Sequence, residues 1–256
     1  MIARTASILA ALAVLAAGAA PAAAERLVTS VSKHRIQVTS SFGGEDLVLF
    51  GAIERDAATI PRRGGYDIVV TVNGPRKTFV TRRKERRLGV WINVESRHFT
   101  GAPAFLAVLS NRPIERIAPA DMRQRLQIGL DAMPLNTGTA DVVSEEPFRK
   151  AFIRINTQHD LYQESENAVT FLTPNLFRAA ISLPASVPIG TYNIDVKLLA
   201  DGVMVARATS AFEVIKAGFE QVVAETAHQH PFLYGLITAM MALLTGWLAS
   251  VIFRRD

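Results

Sequence analysis

The densest run of ionisable side chains is Thr81-Arg82-Arg83-Lys84-Glu85-Arg86-Arg87, in which Arg82, Arg83, Lys84, Arg86 and Arg87 surround a single carboxylate. Such a run can hold an anionic headgroup or an acidic partner surface. It can equally stand as a solvated hairpin tip whose like charges stop strands pairing edge to edge. The histidines are scattered: His34, His98 and His159 stand alone, and His228 and His230 sit two apart just ahead of an apolar segment. On a helix that spacing puts them on different faces, and without cysteine no common zinc-ligand spacing exists. There is no Gly-x-Ser-x-Gly elbow, no His-Glu-x-x-His and no Gly-x-x-x-x-Gly-Lys loop. Asp160 and Glu164 would share one helical turn, which a solvated acidic face explains as well as a site does. The expectation is a chain that is not an enzyme, with no catalytic residue, metal site or cofactor.

Two apolar segments bound the chain and state where it works. Ile8 to Ala24 follows the lone basic Arg4 and closes on Ala22-Ala23-Ala24, a small-residue pattern that signal peptidase accepts, so cleavage after Ala24 is expected. Phe232 to Phe253 carries no charge and is followed at once by Arg254 and Arg255. At about 1.5 Å per residue this second segment crosses a hydrocarbon core of about 30 Å. The flanking arginines predict a cytoplasmic C-terminus and a periplasmic bulk, a single-pass protein of the inner membrane. The net charge of +5, outside the cytoplasm, points to anionic lipid, anionic glycan or an acidic protein surface rather than to nucleic acid. With no cysteine the exported part has no disulfide framework and must be held by its core.

Between these ends the pattern is mainly β. Ile36-Gln37-Val38, Leu47 to Phe50 and Asp67 to Val72 read as short strands, with turns at Gly43-Gly44, Gly64-Gly65 and Asn73-Gly74-Pro75. Lys77 to Thr81 and Leu88 to Val94 then flank the basic run as a tip; Leu88, Val90, Ile92 and Val94 share one face and Trp91 and Asn93 the other. Met122, Leu126, Leu130 and Met133 behind Pro119 predict an amphipathic helix. A second helix is expected from Ser144, with Pro147 in its first turn and Phe148, Phe152 and Ile155 as its buried stripe. Strands return from Ala168. Leu183-Pro184 through Gly190-Thr191-Tyr192 has the form of an immunoglobulin-like E–F corner, and Asp201-Gly202 turns the last hairpin.

The expected architecture is an immunoglobulin-like antiparallel β-sandwich over residues 25–215 with a helical insertion at about 115–165. A juxtamembrane segment, 216–230, would carry Phe219, Val222, Val223 and Thr226 on one face, before a membrane helix at 231–253 and a tail at 254–256. Two separate domains is the alternative reading. Within the membrane helix Gly235, Ala239, Ala242, Gly246 and Ser250 fall on one stripe, a surface on which a second helix could pack closely.

Ser41-Phe42-Gly43-Gly44, Leu47 to Ala52, and Arg82-Arg83-Lys84-Glu85-Arg86 leading into Gly89-Val90-Trp91-Ile92-Asn93 resemble the alphaproteobacterial single-span transmembrane protein family of unknown function. The resemblance covers nearly the whole chain after the leader, and its motifs are strand and turn patterns rather than catalytic signatures. It implies a setting beside sulfite or taurine exporter-type permeases. The favoured expectation is a periplasmic accessory or interaction protein whose helix packs on an integral membrane protein, such as a transporter, or on a second copy of itself. The alternative is a ligand- or glycan-binding module that works through the basic hairpin.

Overall fold

The structure, a computed structural model, describes residues 25–55, 65–137, 142–218, 223 and 227–252. The expected leader at 1–24, Gly64, the juxtamembrane Phe219, Val222 and Thr226, and the flanking Arg254 and Arg255 lie outside these residues. The chain is mainly β, with strands at β1 (Arg26–Val31), β2 (Arg35–Val38), β3 (Gly44–Glu54), β4 (Asp67–Asn73), β5 (Arg76–Arg87), β6 (Val90–Pro103), β7 (Leu106–Ser110), β8 (Tyr162–Ser165), β9 (Val169–Thr173), β10 (Leu176–Pro184), β11 (Gly190–Ala200) and β12 (Val203–Lys216). Helices α1 (Ile114–Ile117), α2 (Ala120–Leu126) and α3 (Val142–Gln158) lie between β7 and β8, and α4 (Pro231–Ile252) follows the last strand.

Ten of the strands form two sheets, one ordered β1-β3-β10-β9 and the other β2-β12-β11-β4-β7-β8. The second is mixed: β2 runs parallel to β12 and β8 parallel to β7, which corrects the expectation of wholly antiparallel pairing at both edges. Strands from before and after the helices share both sheets. β10 shows why the sheets face each other, because Phe177, Ala179, Ile181 and Leu183 point inward and alternate with exposed neighbours. They meet Ile68, Val70, Val72, Tyr192, Ile194, Val196 and Leu198 of the other sheet in one apolar core.

β4 is buried on both faces and accordingly reads as an almost unbroken apolar run. Its outer face, with Leu106 and Val108 of β7 and Leu199 of β11, is covered by the helical segment through Ile114, Ile117, Ile128, Phe148, Phe152 and Tyr162, a second core.

Several helix expectations are corrected. α2 stops at Leu126 because Gln127 turns left-handed at φ 53°, so Leu130 and Met133 pack from the following turns rather than from a helix. α3 begins at Val142 rather than Ser144, which moves Pro147 beyond the first turn. Its buried stripe is Phe148, Phe152 and Asn156, with Ile155 42 % exposed. The four-residue step, 40° past a full turn, carries the stripe onto Asn156, whose amide donates to the Phe152 carbonyl at 2.9 Å. Asp160 and Glu164 do not share a helical turn, since Asp160 turns left-handed at φ 57° and Glu164 lies in β8.

Candidate functional site

Among the described strands β5 and β6 pair with each other and stand outside both sheets, while Thr100 of β6 also bridges to Asn136. Their root is tightly fixed. The Gly74 amide donates to the Phe105 carbonyl and the Ala104 amide to the Pro75 carbonyl, each at 2.8 Å, so the two strands leave together from the Asn73 end of β4. The Phe152 ring of α3 packs against Phe79 and Phe99, with centroids 5.3 and 4.9 Å away, and meets Tyr162 edge-on. The Tyr162 hydroxyl in turn donates to the Pro103 carbonyl at 2.7 Å. Higher up, the Arg97 guanidinium lies 5.2 Å over the Phe148 ring.

The basic run, expected as the tip, lies within strand β5. The turn is Leu88-Gly89, both at positive φ (50° and 84°). A two-residue turn of this hand suits Asn-Gly or Asp-Gly. A leucine in the left-handed region costs about 1–2 kcal/mol, so folding alone does not explain Leu88. Its side chain is fully exposed, and Val90 and Trp91 beside it are 62 % and 65 % exposed.

Cross-strand register separates the cations. Arg83, Glu85 and Arg87 share one face, where Glu85 takes Arg83 at 3.0 Å and Arg87 at 3.3 Å and Glu95 takes Arg83 at 3.5 Å. Arg82, Lys84 and Arg86 point to the other face, with Trp91 directly opposite Arg86 and Asn93 opposite Lys84. Among the described residues no carboxylate pairs with these three cations. The register slips by one residue at Arg83/Lys84, a bulge that breaks the expected shared face of Ile92 and Val94.

A second polar cluster lies on the outer face of the β11 sheet. Asp195 accepts from the Arg207 Nε at 2.5 Å and from the Lys197 ammonium, although Lys197 is only 5 % exposed. Burial pushes the Asp195 carboxyl up, but the hydrogen bonds from Arg207 and Lys197 outweigh it and hold the group below the ordinary carboxylate range. Beside them a cavity of about 90 Å³ is lined by Thr71, Asn73, Arg76 and Gln127 among others. The Thr71 hydroxyl there is buried without a hydrogen-bond partner.

α4 is long and apolar enough to cross a bilayer, and none of its side chains is buried. At 22 residues it spans about 33 Å. Its two threonine hydroxyls are satisfied internally, Thr238 on the Tyr234 and Gly235 carbonyls and Thr245 on the Met241 carbonyl, as suits an apolar solvent. The family described as "Putative transmembrane protein (Alph_Pro_TM)" matches residues 26–255, the β body and α4 together. The chain belongs to this family.

No curated protein matches the chain. Among solved structures, Spo0M, a sporulation control protein from Bacillus subtilis, is 11 % identical over 81 % of this chain, with a TM-score of 0.28. The chain spans 56 % of that protein's length. At that score the likeness has no bearing on fold.

Within this transmembrane family member, then, the sequence-predicted Arg82, Arg83, Lys84, Arg86 and Arg87 come together on one exposed hairpin. Gly235, Ala239, Ala242, Gly246 and Ser250 are all exposed on α4, with open space around both glycines. Among the described residues no group of His, Asp and Glu is arranged to hold a metal ion. Sequence reasoning missed the Asp195–Lys197–Arg207 cluster. Its signal was available: Asp195 and Lys197 alternate with Val196 in a strand that is otherwise apolar from Ile194 to Ala200, so they must share the face away from the sheet-to-sheet core.

Proposed function

We propose that this chain is a non-enzymatic, membrane-anchored accessory protein of the periplasm that meets an anionic partner surface through the β5–β6 hairpin. The observation that carries the reading is the hairpin itself: twelve- and fourteen-residue strands outside both sheets, fixed at the root, with three cations that no described carboxylate pairs, beside an exposed aromatic. Ion pairs already made at a surface contribute little. Cations left without carboxylates are the ones a partner can use.

The body is read as one immunoglobulin-like domain over 25–215. If β1, β3, β4, β9, β10, β11 and β12 are A to G, the first sheet is A-B-E-D, and the second carries G-F-C with β7 in the C′ position. The Tyr192 hydroxyl, at the start of F, reaches back to the Pro188 carbonyl at 2.6 Å, as the corner of that fold does. The leader at 1–24 would be removed, and Glu25 is already buried, accepting from the Tyr66 hydroxyl at 2.7 Å. Arg254 and Arg255 behind the membrane helix favour a cytoplasmic C-terminus.

A second reading rests on the exposed small-residue stripe of α4, which would pack on an integral membrane protein such as a transporter, or on another copy of the chain. Photo-crosslinkers placed in the full chain at Asn93, Asp201 and Ala242, irradiated in intact membranes, separate the two. Adducts from Asn93 that vanish on charge reversal of Arg82, Arg83, Arg86 and Arg87 support the hairpin reading. Adducts from Ala242 alone, lost when Gly235, Ala242 and Gly246 become leucine, favour the stripe and count against the hairpin. A reporter fused after Asp256 that is active only in the periplasm would overturn the topology.

A further inference from the structure

Resting on the reading of the hairpin as the working arm, we infer that its apex is a bilayer-inserting wedge, and that the anionic surface it meets is the phospholipid headgroup layer of the membrane. Four observations converge on lipid. The turn and the β6 side of the apex are apolar where water should select polar residues: Leu88 is fully exposed, and the exposed Val90, Trp91 and Ile92 follow it, opposite Arg87, Arg86 and Glu85 of β5. The left-handed backbone at Leu88 disfavours the residue that is there, so the side chain is kept for what it contacts.

The charges stand where headgroups would be. Arg82, Lys84 and Arg86 lie at successive steps back from the apex on the Trp91 face, free of described carboxylates. Trp91, level with Arg86 at the outer edge of the collar and one step behind the exposed leucine, has the amphipathic place of a membrane-interface tryptophan. An acidic protein surface would use the collar but would not need the exposed leucine.

Reach permits the contact. Register places Asn73, where the hairpin is rooted, opposite Asn193, and Gly190 opposite Val214, so β5 leaves at the same end of the sheet as β12 leaves for α4. A Cβ on Gly190 would lie 3.0 Å from the Pro75 ring at the hairpin root. The connection at 217–230, fully extended, reaches at most about 50 Å. A strand the length of β5 spans about 40 Å, so an arm rooted at that end covers most of that largest separation and reaches the bilayer wherever the connection is shorter than about 40 Å.

The test uses the full chain with Trp247→Phe, which leaves Trp91 as the sole tryptophan. Reconstituted in vesicles of phosphatidylglycerol and phosphatidylcholine, Trp91 emission is expected to shift to the blue and to be quenched by brominated acyl chains, with both effects reduced in phosphatidylcholine alone. Arg82→Glu, Lys84→Glu and Arg86→Glu together should abolish both effects. Leu88→Asn should also abolish them while leaving the unfolding midpoint unchanged or raised, since asparagine suits the turn. Unquenched emission at the water wavelength in anionic vesicles overturns the inference. If Asn93 still crosslinks to a protein in native membranes, the proposed function stands while the lipid assignment fails; if neither signal is seen, both fall.

Discussion

The hydroxyl of Tyr192 donates to the carbonyl of Pro188 at 2.6 Å, closing the corner that feeds β11. The same ring stacks on Phe212 with centroids 4.8 Å apart and packs on Phe105, so one side chain of β11 ties the corner to β12 and to the connection between β6 and β7. Tyr192→Phe keeps the packing and removes the bond, leaving the Pro188 carbonyl without that donor. The expected loss is about 1 kcal/mol, read as a lower denaturant midpoint at unchanged slope. Tyr192→Ala should cost about 3–5 kcal/mol, because the ring itself is fully buried. Equal losses in the two variants would assign the whole effect to the hydroxyl and contradict the packing argument.

That corner was legible because its determinants are local: Pro188 and Gly190 bend the chain, and Tyr192 lies within bonding distance of its own upstream backbone. Asp201-Gly202 was legible for the same reason, and both residues adopt positive φ in the structure. The hairpin was harder to see. Polar Arg82 to Arg87 reads as loop in a one-dimensional pattern, yet it is strand because β6 supplies its partner across a two-residue turn. The end of α2 was hidden similarly: Leu130 and Met133 keep a helical spacing, but the left-handed Gln127 redirects the chain while they still reach the second core. Periodicity reports which residues are buried, and it does not report which element delivers them. Asp195 and Lys197 share a face of β11, but Arg207 joins them only through the register of β11 and β12, which neither strand encodes by itself.

Gly51 and Phe177 face each other across β3 and β10. A Cβ on Gly51 would lie 2.1 Å from the Phe177 ring, inside any tolerable contact, and that ring is fully buried. Gly51→Ala should therefore destabilise by about 1–3 kcal/mol through overpacking. Adding Phe177→Leu to it should restore part of the loss although Phe177→Leu alone is destabilising. Additive losses measured by denaturant unfolding would show that the two residues do not compete for the same space.

Phe152 joins α3 to the hairpin root through Phe79 and Phe99. Phe152→Ala opens a cavity there, with an expected cost of about 3–5 kcal/mol. The loss should be local as well as large. Amide exchange should quicken through β5, β6 and α3 more than in β1, β3 and β10, whose core residues belong to the other cluster. Uniform quickening across both sheets would mean that the hairpin and the insertion do not form a separable unit.

Asp195 carries the pH prediction. Its folded carboxyl titrates below the ordinary value, because the hydrogen bonds from Arg207 and Lys197 exceed the cost of burial. A depressed group stabilises the fold fully above its unfolded pKa of about 3.9, and loses that contribution as pH falls through the folded value. Asp195→Asn removes the charge and leaves the buried Lys197 ammonium without its carboxylate. At pH 7 this should cost about 3 kcal/mol. The gap between native and variant should then narrow as pH drops below about 4, since the unfolded carboxyl takes up a proton that the folded one binds only at lower pH. Lys197→Met, which removes the buried cation but leaves Arg207 on Asp195, should be milder than Asp195→Asn at pH 7. Unfolding midpoints at pH 7, 5 and 3 check the sequence of effects. A gap that stays constant down to pH 3 would locate the loss in packing rather than in the Asp195 charge.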